Sequence, residues 1–303
     1  MNRIVVIGSS NTDMVVKTGR FPRPGETLLG GEFFMFPGGK GANQAVAAAR
    51  LGGRVTFISK VGNDLFGRQA LEGFKKENID IQYIIPDNTI ASGVALITVN
   101  ENGENTIVVA PGANNHLTAE DMIRFKPAFL AADIILMQLE IPMKTVERAI
   151  TIACEMDKKI ILNPAPAQAM AREMLKKLFL VTPNETEAGL LTGVEVRDIP
   201  SADKAASVLL DSGVQNVIIT LGSQGAFFKS QSQQFMIPSP VVVPVDTTAA
   251  GDVFNGAVAV ALAEELDWHS AIVFACNAAS LSVTRMGAQS SAPYRNELLQ
   301  MNI

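Results

Sequence analysis

Histidine is nearly missing from these 303 residues; His116 and His269 are the only two. Imidazole-based acid–base chemistry and a histidine-rich metal site are therefore poor fits. Cysteine is as scarce, with Cys154 and Cys276 alone. Both lie in apolar, helix-like contexts, which suits packing as small hydrophobes better than a disulfide or a metal ligand. A basic excess is also lacking. There are 25 Lys and Arg against 30 Asp and Glu, a formal net charge of −5. With no basic arm and no acidic tail, that balance argues against a nucleic-acid partner. No apolar run approaches the length of a bilayer span, so no membrane partner is expected. Repeats and low-complexity tracts are absent as well. The chain opens directly on the strand-like RIVVIG, without a charged and apolar leader. A cytoplasmic location is expected.

What is present is a large apolar fraction, 48%, with only 18% charged residues. That length and composition suit one large α/β domain or two smaller ones. Strand-like runs at 4–7, 55–59, 134–137, 159–162, 179–181 and 217–220 alternate with helical patterns. The helices are expected at 42–51, 67–77, 143–155, 185–191 and 201–211, and the end of the chain, 252–264 and 270–285, is helix-rich. This rhythm predicts an α/β fold with a mostly parallel central sheet flanked by helices. Two regions break it. Residues 14–36 are β-prone around Phe21-Pro22-Arg23-Pro24-Gly25, and 92–110 read as a hairpin across Glu101-Asn102-Gly103-Glu104. They are read as one small sheet covering the space between Asp13 and Lys40; ordinary edge strands are the plainer alternative. The expectation is a single domain over 1–303.

The most telling stretch is Asp246-Thr247-Thr248-Ala249-Ala250-Gly251-Asp252-Val253-Phe254-Asn255-Gly256. It reads as a strand end, a turn of small residues and a helix starting at a glycine. Ala249, Ala250 and Gly251 leave backbone N–H groups uncovered at the positive end of that helix, which makes an anion site. A carboxylate beside a bound phosphate, here Asp252, suits proton abstraction from a hydroxyl that attacks the phosphate. An Asp that merely stabilises its helix N-terminus is the blander reading.

A second stretch, Pro37-Gly38-Gly39-Lys40-Gly41-Ala42-Asn43-Gln44, precedes a helical run. It is not a Walker A loop, because Gly41 stands where that motif needs Ser or Thr. It reads as a glycine turn that lets backbone approach a ligand, with Lys40 and Asn43 as polar hands. For Lys40 the alternative is a solvated surface lysine. Asn11 and Asp13 lie just past the strand IVVIG, at the carboxyl end where ligands bind open α/β sheets.

Together these segments resemble the ribokinase branch of the phosphofructokinase-B carbohydrate kinase superfamily. GGKGANQA is similar to its first signature and DTTAAGDVFNG to its second. Further matches are Gln138-Leu139-Glu140, Asn163-Pro164-Ala165-Pro166-Ala167, Thr182-Pro183-Asn184-Glu185-Thr186-Glu187, Thr220-Leu221-Gly222-Ser223-Gln224-Gly225 and Val283-Thr284-Arg285-Met286-Gly287-Ala288. The resemblance runs from about residue 3 to about residue 295.

The resemblance implies transfer of the γ-phosphoryl group of ATP to the 5-hydroxyl of D-ribose, giving ribose 5-phosphate. Asp252 would be the base, and the N–H groups of Ala249, Ala250 and Gly251 would hold the transferred group's charge. Asn11, Asp13, Gly39, Lys40, Gly41, Asn43 and Glu140 would bind the sugar. Asn184 and Glu187 would organise Mg²⁺ and phosphate, mostly through water, though a capping box explains the same pair. Thr220, Gly222, Ser223 and Gly225 would serve the nucleotide. Cys276 stands where relatives often carry Asn, with Asn277 one step on, and adenine is expected near these two. K⁺ would lie beside the anion site, on Asp246, Thr248, Ser282, Arg285, Gly287 and Ser291, several through backbone carbonyls; a turn merely capped by Asp246 is the alternative. The small sheet, about 14–36 and 92–110, would be a lid that also joins two subunits. Competing readings are another sugar kinase of the superfamily (deoxyribokinase, fructokinase or nucleoside kinase), a non-catalytic sugar-binding protein, or a phosphohydrolase. The last would need a fuller metal cage, which is not found.

Overall fold

A computed structural model of the chain describes residues 3–299. In chain order its strands are β1 (Arg3–Ile7), β2 (Asn11–Lys17), β3 (Glu32–Gly38), β4 (Arg54–Gly62), β5 (Ile84–Asp87), β6 (Gly93–Val99), β7 (Asn105–Ala110), β8 (Ile134–Met137), β9 (Lys159–Leu162), β10 (Leu180–Val181), β11 (Asn216–Thr220), β12 (Ala226–Ser230) and β13 (Gln234–Ile237). The helices are α1 (Lys40–Arg50), α2 (Leu65–Lys76), α3 (Ala119–Arg124), α4 (Lys126–Ala131), α5 (Met143–Glu155), α6 (Arg172–Leu175), α7 (Glu185–Thr192), α8 (Ile199–Asp211), α9 (Ala250–Ala263), α10 (Trp268–Ser282) and α11 (Arg295–Leu298).

Nine strands make the main sheet, in the order β13-β12-β11-β10-β9-β8-β1-β4-β5. From β5 to β11 every pairing is parallel. β12 and β13 run antiparallel at the far edge. The expected α/β architecture is present, and β5, β12 and β13 enlarge it beyond the six strands read from periodicity. These three are short or alternate with polar residues, so their apolar signal is weak. The central strands are apolar on both faces, as a doubly covered parallel sheet requires. Ile4 and Val6 point into one core with Leu136, Ile161 and Ile218. Val5 and Ile7 point into the other with Ile135, Ile160 and Val217. Strand alternation thus feeds two cores, one on each side.

A second sheet of four strands has the order β3-β2-β6-β7. Asn11 and Asp13 lie just past β1, as read from the sequence, and already belong to β2 of this sheet, while residues 18–31 between β2 and β3 carry no strand. The 92–110 hairpin is present as β6 and β7. The two cysteines part company. Cys276 is buried, as expected, whereas Cys154 is exposed on α5. The helical pattern around Cys154 was read correctly, but its face turns to solvent.

One close approach positions the site. A Cβ at Gly256 of α9 would lie 2.8 Å from the Ala47 Cβ and 2.9 Å from the Gln44 carbonyl oxygen of α1. The absent side chain lets the two helices touch, and this sets Asn43 and Gln44 beside Asp252.

Candidate active site

The turn before α9 is strained in a useful way. Ala249 adopts a left-handed conformation, φ 61° and ψ 11°, which costs a residue with a Cβ on the order of 1 kcal/mol. In exchange the chain swings into α9 with its first amides pointing outward. The N–H groups of Gly251 and Asp252 have no acceptor among the described residues, while that of Ala250 reaches the Thr247 carbonyl at 3.3 Å. A Cβ on Gly251 would meet nothing within 4 Å. The space over this helix start is therefore open to a ligand.

Asp252 is buried. Its Oδ2 accepts from Asn43 Nδ2 at 2.9 Å, and its Oδ1 accepts from Gln44 Nε2 at 3.0 Å. Burial pushes this carboxyl above its ordinary range, against the pull of the Lys40 charge and of both amides. In turn the Asp252 carboxylate, helped by Glu140, raises Lys40 despite its burial. Lys40 is no free surface lysine. With Asn184, Glu187, Thr220, Thr247, Ala249, Gly251 and Asp252 it lines a cleft of about 200 Å³.

On the other side of Lys40 a pocket-forming polar cluster gathers residues of β2, the start of α1 and Glu140 after Leu139. Burial, then the Glu140 and Asp252 charges, push Asp13 up to about 6, with Lys40 opposing. Glu140 Oε2 accepts from Ser9 Oγ at 2.6 Å and from the Lys40 N–H at 3.0 Å, so it is anchored on the N-terminus of α1. Asn11 Oδ1 accepts from Asn114 Nδ2 at 2.7 Å. The glycine run is needed for backbone closeness. A Cβ at Gly38 would strike the Asp13 carboxylate at 2.2 Å, and one at Gly41 would strike the Gly8 backbone at 2.6 Å. Gly39, at φ 89°, approaches Ser10 and Asn11 as closely. The structure therefore brings Asn11, Asp13, Gly39, Lys40, Gly41, Asn43 and Glu140 together, as expected. Their glycines serve approach of chain to chain as well as to a ligand.

Asn184 and Glu187 form a full capping box on α7. The Glu187 N–H donates to Asn184 Oδ1 at 2.8 Å, and the Asn184 N–H donates to Glu187 Oε2 at 3.0 Å. Burial raises the Glu187 carboxyl, opposed by the Asn184 N–H and the Lys40 charge. Both residues still line the cleft beside Gly251. Thr220 ends β11 next to Asn184, and Gly222, Ser223 and Gly225 form the turn after it, with φ 53° and 111° at the two glycines. Cys276 packs in the apolar core, its thiol pushed up to about 12 by burial. It is not among the cleft-lining residues, and Asn277 is its half-buried neighbour.

Asp246 joins two segments that the sequence places far apart. Its Oδ1 accepts the Thr248 N–H at 2.9 Å and its Oδ2 the Gly287 N–H at 2.8 Å. Burial pushes this carboxyl up, but the bonds from Thr248 and Gly287 outweigh it and hold the group below its ordinary value. Ser282 and Ser291 are fully buried nearby in sequence to this junction, and Arg285 pairs with Glu297. No group of three or more His, Cys, Asp or Glu able to hold a metal occurs among the described residues.

Residue periodicity and motif reading missed a buried set of amides and a hydroxyl. Gln44, Asn163, Thr182 and Asn255 are buried and hydrogen-bonded in a chain between Asp252 and the Gly251 carbonyl, and Gln138 donates to Gln44. All five sit inside the stretches that carry the family resemblance, yet nothing in a single sequence says that they meet. A larger cavity of about 340 Å³ lies between α1, α2 and β3 and is also lined by Asn11. Its charged lining residues, Arg50 and Glu77, are paired at 2.6 Å.

Residues 1–295 match the family model described as pfkB family carbohydrate kinase. The ribokinase of Haemophilus influenzae is 48% identical over 298 residues, covering 98% of this chain and 97% of its own. The deoxyribokinase of Salmonella typhi is 38% identical over 303 residues, covering 99% of each chain. The structure of Arabidopsis thaliana ribokinase complexed with ribose and ATP superposes with a TM-score of 0.92 at 31% identity, covering 98% of this chain and 97% of that one. The chain belongs to the pfkB family of carbohydrate kinases.

Proposed function

We propose that this carbohydrate kinase transfers the γ-phosphoryl group of ATP to the 5-hydroxyl of D-ribose. The observation that carries the reading is the place of Asp252. It stands between the open amides of the α9 start and the polar pocket of Asp13, Asn11 and Glu140. A hydroxyl held in that pocket would give its proton to Asp252 as its oxygen bonds to the γ-phosphorus. The bond to the β-phosphate oxygen breaks, and ADP leaves. The Gly251 and Asp252 amides, with Lys40, take up the charge on the transferred group. Higher identity to curated ribokinases, 48% and 43%, than to the deoxyribokinase, 38%, supports ribose as the sugar.

Mg²⁺ would be held largely through water by Asn184 and Glu187. The donor set fits, since Glu187 is a buried carboxylate on the cleft wall whose protein bonds come from Asn184 alone. Bound there, the ion neutralises phosphate charge. K⁺ would be held by Asp246, Thr248, Ser282, Arg285, Gly287 and Ser291. This all-oxygen set suits a hard cation. The Ser282 and Ser291 hydroxyls donate to Ala279 and Ala288, which leaves their oxygen lone pairs free. Exchanging K⁺ for Na⁺ at constant ionic strength is expected to lower activity several-fold, and Asp246→Ala to abolish that difference. Indifference to K⁺ would reject the site.

Residues 1–303 are read as one domain, with the four-stranded sheet as its lid. The lid leaves Phe33, Leu96, Ile107 and Val108 exposed, an apolar surface that supports a homodimer joined there. No helix among the described residues is long and apolar enough to cross a membrane, and use of ATP fits the cytoplasm. A coupled assay of ADP release with ribose, deoxyribose, fructose and adenosine tests the substrate. Ribose is expected to give the highest kcat/KM. A higher value with another of these sugars would overturn the choice.

A further inference from the structure

We propose that Gln44 is a positioning residue that clamps the base Asp252 to its anion-binding turn through a closed ring of hydrogen bonds. The inference rests on the phosphoryl-transfer reading of the site. Gln44 Nε2 donates to Asp252 Oδ1 and to Asn163 Oδ1, both at 3.0 Å. Asn163 Nδ2 donates to the Thr182 carbonyl at 3.2 Å, and Thr182 Oγ1 donates to Asn255 Oδ1 at 2.5 Å. Asn255 Nδ2 donates to the Gly251 carbonyl at 2.8 Å. Gly251 is bonded to Asp252, so the ring closes. It runs through α1, the ends of β9 and β10, and the first two turns of α9.

Four of the five hydrogen bonds run one way round from Gln44 and the fifth, to Asp252, runs the other, so Gln44 is the donor at both of its ring contacts. Gln138 Nε2 donates to Gln44 Oε1 at 2.6 Å. The Gln44 amide thus uses its oxygen and both hydrogens and cannot flip without losing three bonds. All five side chains of the ring, with Asp252, are buried, which raises the cost of any broken bond. Asn43 is built differently. Its Nδ2 also meets Asp252, but its Oδ1 is buried with no partner. Asn43 is therefore free to turn toward a ligand, whereas Gln44 holds its place. A carboxylate accepts about four hydrogen bonds, so two amides leave Asp252 room for a substrate hydroxyl.

The clamp has an electrostatic side. The charged groups facing Asp252 are Lys40 from α1, Glu140 after β8, Asp13 from β2 and Glu187 from α7. Only Lys40 is positive, and burial adds to the three like charges. The Gln44 donation works with Lys40 to keep the base ionised. Removing it should raise the Asp252 pKa and loosen its aim on the attacking hydroxyl.

The test compares parent enzyme, Gln44→Leu and Gln44→Glu. The pH dependence of kcat is measured with ribose, and the Asp252 carboxyl is titrated by carbon-13 NMR without ligands, assigned by its loss in Asp252→Asn. In Gln44→Leu, kcat at neutral pH is expected to fall about tenfold or more. KM for ATP should stay near the parent value. Both the acidic limb of kcat and the NMR titration should move up by about one pH unit. Gln44→Glu keeps the acceptor for Gln138 but sets a carboxylate on Asp252, so its shift should be larger; it carries the test if Gln44→Leu does not fold. An Asp252 carboxyl that titrates alike in parent and variant overturns the clamp, as does a loss of kcat with an unmoved acidic limb. A parent that phosphorylates none of the sugars overturns the kinase reading instead, and the NMR titration then decides Gln44 alone.

Discussion

Around Asp252 each carboxylate oxygen meets an amide, and the supporting side chains are buried and bonded to one another. Across the cleft the four-stranded sheet shows the opposite construction. Leu96 is 53% exposed and Val108, its partner across the strands, 67%. Apart from Asn43 Oδ1 and Gln138 Oε1 the polar floor is bonded within itself, whereas the four-stranded sheet leaves apolar surface exposed. Chemistry that depends on aim needs the first kind of surface. Closing over a small molecule and meeting a second copy need the second, because a finished surface has nothing left to bury.

The sharpest way to break this contrast is at the base. Asp252→Asn should keep fold and ATP binding, because Asn43 can turn its unpartnered Oδ1 to accept from the new amide. Turnover with ribose should fall by roughly 10²–10⁴. Rates within a few-fold of the parent in a coupled assay would remove Asp252 from its role. Next comes Gly251→Val. Its helical backbone tolerates a side chain, and the methyls would enter the open cleft rather than a neighbour. Activity should drop by about 10² as the phosphoryl position is displaced, with the melting temperature unchanged or higher. A fully active variant would mean that the anion binds elsewhere.

On the four-stranded sheet, replacing Leu96 and Val108 together by Arg should dissociate the proposed dimer and raise KM for ribose several-fold, with a smaller effect on kcat. Light scattering gives the mass, and an intact dimer would show that these residues lie outside the contact. The smallest expected effect is at Asp13, where floor and lid meet. Its carboxyl is raised from 3.8 to about 6 by burial and by its like-charged neighbours. The folded chain holds that proton more tightly than the unfolded chain. The group's stabilising contribution is thus full below the unfolded value and is lost as pH rises through the folded one. Ribose binding runs the other way, since only the carboxylate accepts two hydroxyl donors. Affinity should weaken as pH falls through about 6, and Asp13→Asn should flatten that dependence in calorimetric titration. An equally steep profile in the variant would place the titrating group elsewhere.

Much of this was legible beforehand. Apolar runs on both sides of Ile4–Ile7 and their helical followers announced a covered parallel sheet. The 246–256 stretch announced a helix start with bare amides, because small residues there leave them uncovered. The β6–β7 hairpin was readable from its turn at 101–104. The edge strands β12 and β13 were not, since an edge is half polar and its pattern is diluted. The strand character of Asn11–Asp13 was hidden as well, because polar residues in a strand give no apolar alternation.

The sequence by itself determined the helix-covered parallel sheet and the glycine turns and singled out Asp252 as the candidate base, since these follow from local pattern and from residue chemistry. Only the tertiary structure decided what surrounds that base. Gln44 and Asp252 are more than two hundred residues apart, bonded through Nε2 and Oδ1, and Asn163 and Thr182 enter from separate strand ends. A buried amide has a fixed role only when every hydrogen and lone pair has an assigned partner. Those partners are set by how α1 packs on α9 at Gly256, a contact of chain with distant chain that no local pattern encodes.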